Sequence, residues 1–574
     1  MKILSGKKTS DQRRIYFNQK HNHQLVFSVV MVFFIYMYFF SRLSQYMGLP
    51  TPQDIFEFLR LSQFLSFEPG EYIYPKLSAG NTNLFSGNQE KIILFSGLAI
   101  TFITNYYSNV RIKKKVMVSS FLILMAILYE LPILFAFLSF HLLIYLVYHS
   151  KSENSSIAAF LAAFFFVVSI SYFENASYNI LGGIVSGAIA LYVFNKFIRI
   201  LLLTDTIWVF RRSQLQFLFS HSVFIYIIAS MISNSFFGTH WELSVGYLLF
   251  FLQWLRMLLY NADFQDGAVP DDLSLSEYMS VFFNPALLVN WGWGIIIGQS
   301  YQFQDRCYLN KDKNLIVKRG LKILVVAFTY FIIGPAVVDI VEYLMSLSGN
   351  QIYSSISNLL EAHSQSPVQS TSTVLASCLF HEIRYLFKFA GIFHFLVGIW
   401  RLLGYDMPND INKPFLSTNL VSLWARLMYH FREFLVRLFY YPVFLKLNGY
   451  SKSFRVVIAT MVAAGGANFI WGIIPQKLMY SEITLSLFLN QWKTLPYFML
   501  LGAGISVTEL YFLRYGRSKR KAWSMDWKII IDVICVYMVF AYFTLINIFY
   551  YLPKVPSVSM SEAAGLFLTG LGLN

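Results

Sequence analysis

Long apolar stretches recur along this chain, and they constrain its fold more than any other feature. A transmembrane helix needs about 20 mostly apolar residues. The sequence predicts such helices at 25–45, 91–108, 116–149 (long enough for a pair broken near Pro132), 157–174, 178–203, 215–236, 243–260, 283–300, 320–347, 374–404, 431–448, 454–475, 482–513 and 527–552. Because an open structure in hydrocarbon must satisfy its own backbone hydrogen bonds, we expect an all-α, polytopic membrane protein of about 11–14 helices.

The composition excludes a string of soluble domains. Of the 574 residues, 56% are hydrophobic and only 13% are charged, whereas soluble domains are about 25% charged. The three cysteines, Cys307, Cys378 and Cys535, lie far apart without metal-ligand spacing. We therefore predict buried free thiols and no metal site.

The net charge of +15 is concentrated in short segments that flank predicted helices. The basic clusters are Lys2, Lys7, Lys8, Arg13, Arg14 and Lys20; Arg111, Lys113, Lys114 and Lys115; and Arg517, Lys519, Arg520 and Lys521. This distribution follows the positive-inside rule and suits anionic lipid head groups. It predicts a cytoplasmic N-terminus over 1–24, a retained span at 25–45, membrane lipids as partners and no nucleic-acid partner.

Three segments carry a family resemblance. They are 385–415 (YLFKFAGIFHFLVGIWRLLGYDMPNDINKPF), 424–442 (WARLMYHFREFLVRLFYYP) and 461–472 (MVAAGGANFIWG). Together they resemble the membrane-bound O-acyltransferase (MBOAT) superfamily, in particular its bacterial branch of alginate O-acetylation and teichoic-acid D-alanylation proteins. The matching frame residues of the first segment are Phe389, Gly391, Gly398, Arg401, Leu402, Gly404, Pro408, Asn412 and Pro414.

The resemblance covers about residues 240–475 and implies an MBOAT-like core at 237–480 with a central tunnel or funnel. Transmembrane helices at 25–236 and 481–574 would flank that core. The implied function is O-acyl transfer from an activated donor to a hydroxyl of an extracytoplasmic glycan, lipid or small molecule. The donor is an acyl thioester substrate and no cofactor is implied. The expected location is the bacterial inner membrane, in the cell envelope, with an acyl-carrier or periplasmic protein as partner.

The sequence departs from the family at the residues that handle protons. A buried histidine serves as general base in the family. Its first histidine position falls on Met428, and the second falls on Phe469 or Ala463, depending on the alignment. This departure leaves two interpretations open. The chain is a membrane O-acyltransferase, which we favour slightly, or a catalytically degenerate MBOAT-fold protein that acts in lipid binding, transport or complex formation.

The candidate catalytic residues are His430, Asn468 and His394. On a regular helix His430 lies about 200° from Met428, so it replaces the missing base only if the helix is irregular. An ionisable side chain in mid-span, such as His394, is a functional candidate, and Asn468 offers an amide but no base. The alternative for all three is structural hydrogen bonding.

The candidate substrate-binding residues are Arg401, Lys388, Arg426 and Asn412. The cations among them suit a phosphate group of a lipid or donor, and the alternative is that they extend to the membrane surface. His381, Glu382 and Arg384 form a polar cluster that the sequence predicts to be an interfacial anchor at one end of a span.

Overall fold

The computed structural model describes part of the chain, and all regular structure in that part is helical. The described residues are 23–36, 88–108, 110–128, 134, 138, 141–142, 145, 149, 256–264, 266–270, 272–289, 297–298, 300–307, 312–347, 352–353, 355–366, 370–470, 489–516 and 529–573. The spans predicted at 157–174, 178–203 and 215–236 lie outside them, as do the first and third basic clusters.

The described helices differ widely in length, from six to 35 residues. In chain order they are α1 (His23–Tyr36), α2 (Asn88–Tyr107), α3 (Val110–Leu128), α4 (256–264), α5 (Leu275–Phe282), α6 (Tyr301–Cys307), α7 (Lys313–Leu347), α8 (Ile356–Gln365), α9 (Thr371–Leu402), α10 (Leu420–Arg426), α11 (Tyr429–Leu435), α12 (Tyr441–Lys446), α13 (Lys452–Thr460), α14 (Leu495–Tyr515), α15 (Ile529–Tyr551) and α16 (Met560–Gly570). Two π-helical segments, Val436–Tyr440 and Met461–Ala467, follow α11 and α13.

The described residues contain four helices that are long and apolar enough to cross a membrane. They are Thr371–Leu402, Lys452–Ile470, Leu489–Tyr515 and Ile529–Lys554. One side of α15 exposes large apolar side chains, among them Ile530, Ile534 and Met538, and such a face is stable against lipid. The protein is an all-α polytopic membrane protein.

The cysteines of the described residues are free, as predicted, but one of them is not buried. Cys307 and Cys378 are buried, whereas Cys535 is partly exposed. Cys535 lies on α15, one residue after the exposed Ile534, which accounts for the difference.

Helix α7 packs against α9 more extensively than any other pair of described helices. Glycines permit this close approach. A Cβ on Gly398 would lie 2.5 Å from the Leu324 side chain, and one on Gly391 would lie 3.0 Å from the Phe331 ring. Small residues at such contacts let helix backbones come together.

Residues 424–442 do not form one regular helix. Met428 adopts a left-handed backbone (φ 49°) and separates α10 from α11. Asp410 stabilises this break from the neighbouring loop, because its Oδ1 accepts from the His430 backbone N–H at 2.7 Å. Its backbone oxygen accepts from the Tyr429 N–H at 2.8 Å. The carboxylate thus satisfies a backbone donor at the start of α11.

Two further predictions have different outcomes. The sequence also predicts a polar loop at 348–373 that is partly helical around Ser354–Ala362, and α8 (Ile356–Gln365) forms there. The span predicted at 283–300 is wrong at its start, where Pro285–Leu288 forms a short 3₁₀ helix. Asn284 caps that turn by accepting from the Ala286 N–H at 3.0 Å, and Pro285 cannot donate to a continuing helix.

Helices α8 and α16 close one end of the bundle. Their apolar residues, among them Leu359 and Leu566, form a buried cluster with Val374 near the start of α9 and Leu545 on α15. The cavity described next lies towards this end.

Candidate functional site

The three segments that resemble the MBOAT family meet at one cavity of about 140 Å³. Tyr385 and Phe389 of the first segment, Met428 and Arg432 of the second and Asn468 of the third all line it. These side chains come from α9, the α10–α11 junction and the residue after the second π-helical segment. Positions far apart in sequence are therefore gathered around one space.

The opposite wall of the cavity comes from the candidate spans α14 and α15. Tyr497 and Leu501 of α14 line it, together with Phe543 and Asn547 of α15. Tyr497 lies near the beginning of α14 and Asn547 near the end of α15. The cavity is thus nearer to one end of these two helices than to their middle.

A buried acid–amide pair lies in this wall. Asn547 Nδ2 donates to Glu382 Oε2 at 2.7 Å, and the two residues are only 5% and 4% exposed. Within the described part of the chain Glu382 makes no ion pair. Both residues line the cavity.

The predicted interfacial position of Glu382 is wrong. The residue lies eleven positions into α9, about 17 Å from the start of the helix at 1.5 Å per residue. Its carboxyl group is buried because α15 packs across α9 at this level.

Asn468 is the one sequence-predicted catalytic candidate among the cavity-lining residues. It is 9% exposed, and its side-chain amide makes no hydrogen bond with the described residues. The same holds for the hydroxyl groups of Tyr385 and Tyr497. The cavity therefore offers several polar groups that a ligand could pair with.

His430 is buried next to the cavity but is not among the residues that line it. Its Nε2 lies 3.4 Å from the Pro408 backbone oxygen, and the Phe303 ring meets it edge-on at 5.4 Å. Burial lowers the pKa of His430 to about 3, and the nearby Arg401 adds to this effect. The imidazole is neutral at pH 7 and turned towards the loop.

His394 is also outside the cavity lining. It is buried on α9, and its ring packs edge-on against Tyr330 at 5.4 Å. The helix irregularity at Met428 thus brings neither histidine to the position where the family resemblance places its base.

The four predicted substrate-binding residues lie outside the cavity lining, and two of them hold the loop before α10. Arg401 donates to the Met407 oxygen at 2.6 Å and to Asn409 Oδ1 at 2.8 Å. Arg426 donates to the backbone oxygen of Asn412 at 3.3 Å. Lys388 and Asn412 are exposed.

Sequence reasoning missed Arg432 and Asn547. Arg432 lines the cavity, where its guanidinium is hydrogen-bonded to the Glu433 carboxylate and lies 5.2 Å from the Tyr429 ring centroid. A polar residue in an apolar span was the available signal for Asn547. No group of His, Cys, Asp and Glu in the described part of the chain could hold a metal ion.

The comparisons with known proteins add no identification. No protein-family model matches the sequence, and no curated protein matches it.

Proposed function

We propose that this chain is an MBOAT-like membrane O-acyltransferase. It would move an acyl group from a thioester donor to a hydroxyl of an extracytoplasmic glycan, lipid or small molecule. One observation carries the proposal: Met428 and Asn468, from two different motif segments, line the same cavity. Met428 is the position where the resemblance places a catalytic base.

The free amide of Asn468 suits the chemistry of acyl transfer. When a hydroxyl oxygen attacks a thioester carbon, negative charge develops on the carbonyl oxygen; the carbon–sulfur bond then breaks, and the hydroxyl proton passes to the leaving thiolate. A fixed donor stabilises this charge, and removal of one such donor typically lowers the rate by about 10²–10³. Asn468 would act as this donor.

Purified full-length protein in nanodiscs tests the proposal. Short-chain acyl-CoA serves as donor, and a membrane extract of lipids and glycans serves as acceptor; released thiol and transferred acyl label are both measured. We expect turnover that falls about 100-fold in Asn468→Leu and is unchanged in Asn358→Leu, an exposed site on α8. Turnover that is equal in the two variants contradicts the role of the cavity.

A second function is favoured by the absence of histidine among the described residues that line the cavity. Loss of a general base typically costs about 10²–10⁴ in rate, and Met428 cannot accept a proton. The chain would then be a catalytically degenerate MBOAT-fold protein that binds lipid, transports it or forms a complex. Folded protein without turnover, whose co-purified lipids change in Asn468→Leu, supports this second function.

We place the protein in the bacterial inner membrane with a cytoplasmic N-terminus, and its partners would be membrane lipids and an acyl-carrier or periplasmic protein. The basic clusters support the orientation. Single cysteines at Ser5 and Ser78, in a cysteine-free variant, test it with a membrane-impermeant maleimide. Ser5→Cys should react only after lysis and Ser78→Cys in intact cells, and the reverse pattern contradicts the orientation.

A further inference from the structure

Neither proposed function gives a role to Glu382. Its carboxyl group is buried and lines the cavity, and its one hydrogen-bond partner among the described residues is the amide of Asn547. Ionising a buried carboxyl group without a cation is costly, because the charge has lost water and gained no opposite charge. A cationic ligand in the cavity would offset this cost.

The cavity wall is rich in aromatic rings. Tyr385, Trp424, Tyr497 and Tyr551 line it, and Glu382 is close enough to the three tyrosines to interact with them electrostatically. The faces of aromatic rings attract cations, and such cages are used to bind ammonium groups. The acid and the rings therefore favour the same class of ligand.

The polar groups of the cavity that have no partner among the described residues distinguish between a primary and a quaternary ammonium. The side-chain oxygen of Asn468 and the hydroxyl oxygens of Tyr385 and Tyr497 can each accept a hydrogen bond, and none of them donates to or accepts from another described residue. A primary ammonium carries three N–H donors, whereas a quaternary ammonium carries none. The acceptors thus favour a primary ammonium.

Arg432 does not oppose this assignment, although it lines the same cavity. Its guanidinium is hydrogen-bonded to Glu433 and to the Ala425 backbone oxygen, the latter at 3.3 Å. The charge of Arg432 is matched by its neighbour Glu433. Glu382 has no such neighbour within the described residues.

The size of the cavity limits the ligand to a small group. Its volume of about 140 Å³ is close to that of an engineered cavity of about 150 Å³ that holds one benzene molecule. A group of about six heavy atoms fits, and a whole lipid or nucleotide does not.

We propose that this cavity binds a primary organic ammonium group, with Glu382 as its counter-ion, Asn468 as a hydrogen-bond acceptor and the aromatic rings as its wall. The group belongs to a lipid headgroup or to a free amine. This binding requires no acyl donor, so it is tested without one.

Thermal unfolding of the purified full-length protein in detergent micelles tests the proposal. Ethylammonium chloride is titrated against sodium chloride of equal ionic strength and against 1-propanol. Ligands that bind only the folded state raise the unfolding temperature in a saturable way. We expect this rise with ethylammonium alone, and we expect it in Glu361→Gln, an exposed acid on α8 outside the cavity lining, but not in Glu382→Gln.

A second variant and a comparison of two lipids complete the experiment. Asn468→Leu should shift the titration to at least tenfold higher ethylammonium, which keeps the test decisive if Glu382→Gln does not fold. Nanodiscs of phosphatidylethanolamine, compared with phosphatidylglycerol, distinguish the sources. Stabilisation that requires Glu382 and appears in phosphatidylethanolamine assigns a lipid headgroup, and stabilisation by ethylammonium alone assigns a free amine. An equal rise with sodium chloride or 1-propanol, or a full rise in Glu382→Gln, overturns the proposal.

Discussion

Replacing Asn547 by leucine should destabilise the protein by an amount that depends on Glu382. The variant removes the donor at 2.7 Å from Glu382 Oε2 and leaves a buried carboxyl group without a partner. Loss of one partner from a buried hydrogen bond costs about 1–3 kcal/mol. A loss of about 2 kcal/mol changes the unfolding equilibrium by about 30-fold.

The converse variant, Glu382→Met, leaves the amide of Asn547 unsatisfied and should cost about 1–2 kcal/mol. The double variant Glu382→Met/Asn547→Leu replaces both groups by apolar ones of similar size. Such a replacement is nearly neutral, so the two losses should not add. With a nearly neutral double variant, the coupling energy equals the sum of the two single losses, about 2–5 kcal/mol.

Equilibrium unfolding in mixed detergent micelles measures the free energies of unfolding of these variants. Sodium dodecyl sulfate is increased stepwise, and tryptophan fluorescence is the signal. Asn358→Leu on the exposed face of α8 is the matched control and should change stability by less than about 0.5 kcal/mol. If the destabilisation of the double variant equals the sum of the single variants, the pair is not coupled and the structural reasoning is wrong.

Two further predictions concern α9 and the loop before α10. Gly398→Ala places a Cβ 2.5 Å from the Leu324 side chain and should cost about 1–3 kcal/mol by overpacking. Gly466→Ala meets no atom within 4 Å and should not lower the unfolding temperature, because alanine favours helical structure over glycine; equal losses in the two variants would contradict this. Burial raises the pKa of Asp410 to about 7 from 3.8, so its protonated form contributes stability that is present below about pH 4 and is lost as the pH rises through about 7. Asp410→Asn keeps an acceptor for the His430 N–H and removes this loss, so the variant should gain stability relative to the wild type as the pH rises from 4 to 7. A stability difference between the two proteins that is constant over this range would contradict the assignment.

Hydrophobic runs were sufficient to predict the long helices. The spans predicted at 374–404, 454–475, 482–513 and 527–552 correspond to the four candidate membrane helices. The apolar character of about 20 consecutive residues is a local property of the sequence, so a membrane-spanning helix can be predicted without knowing which helices pack against it. Helix ends differ by a few residues because caps and loops set them.

The break at Met428 was not predictable from residues 424–442 alone. The left-handed backbone there is held by Asp410, which lies in a different segment and binds the first N–H groups of α11. Because the backbone is not helical at Met428, the rotation of 100° per residue of a regular helix does not place His430 relative to Met428. The resemblance nevertheless identified Met428 and Asn468, and both line the cavity.

The pair of Glu382 and Asn547 shows a second limit of prediction from the sequence. Glu382 and Asn547 are separated by 165 positions, and neither has a partner that local spacing could reveal. The rule that ionisable residues within spans mark functional sites applied to Glu382. The sequence placed it at the end of a span because His381 and Arg384 made the surrounding turn look solvated.

The π-helical segment Met461–Ala467 has a consequence for how this chain tolerates insertions and deletions. A π-turn accommodates one residue more than an α-turn, and each residue turns a helix by about 100°. Deleting a single alanine from this segment would convert a π-turn into an α-turn and keep Asn468 directed towards its cavity, whereas the same deletion in the regular α13 would rotate Asn468 by about 100°. The π-helical segment is therefore the place before Asn468 where the chain best tolerates the loss of one residue.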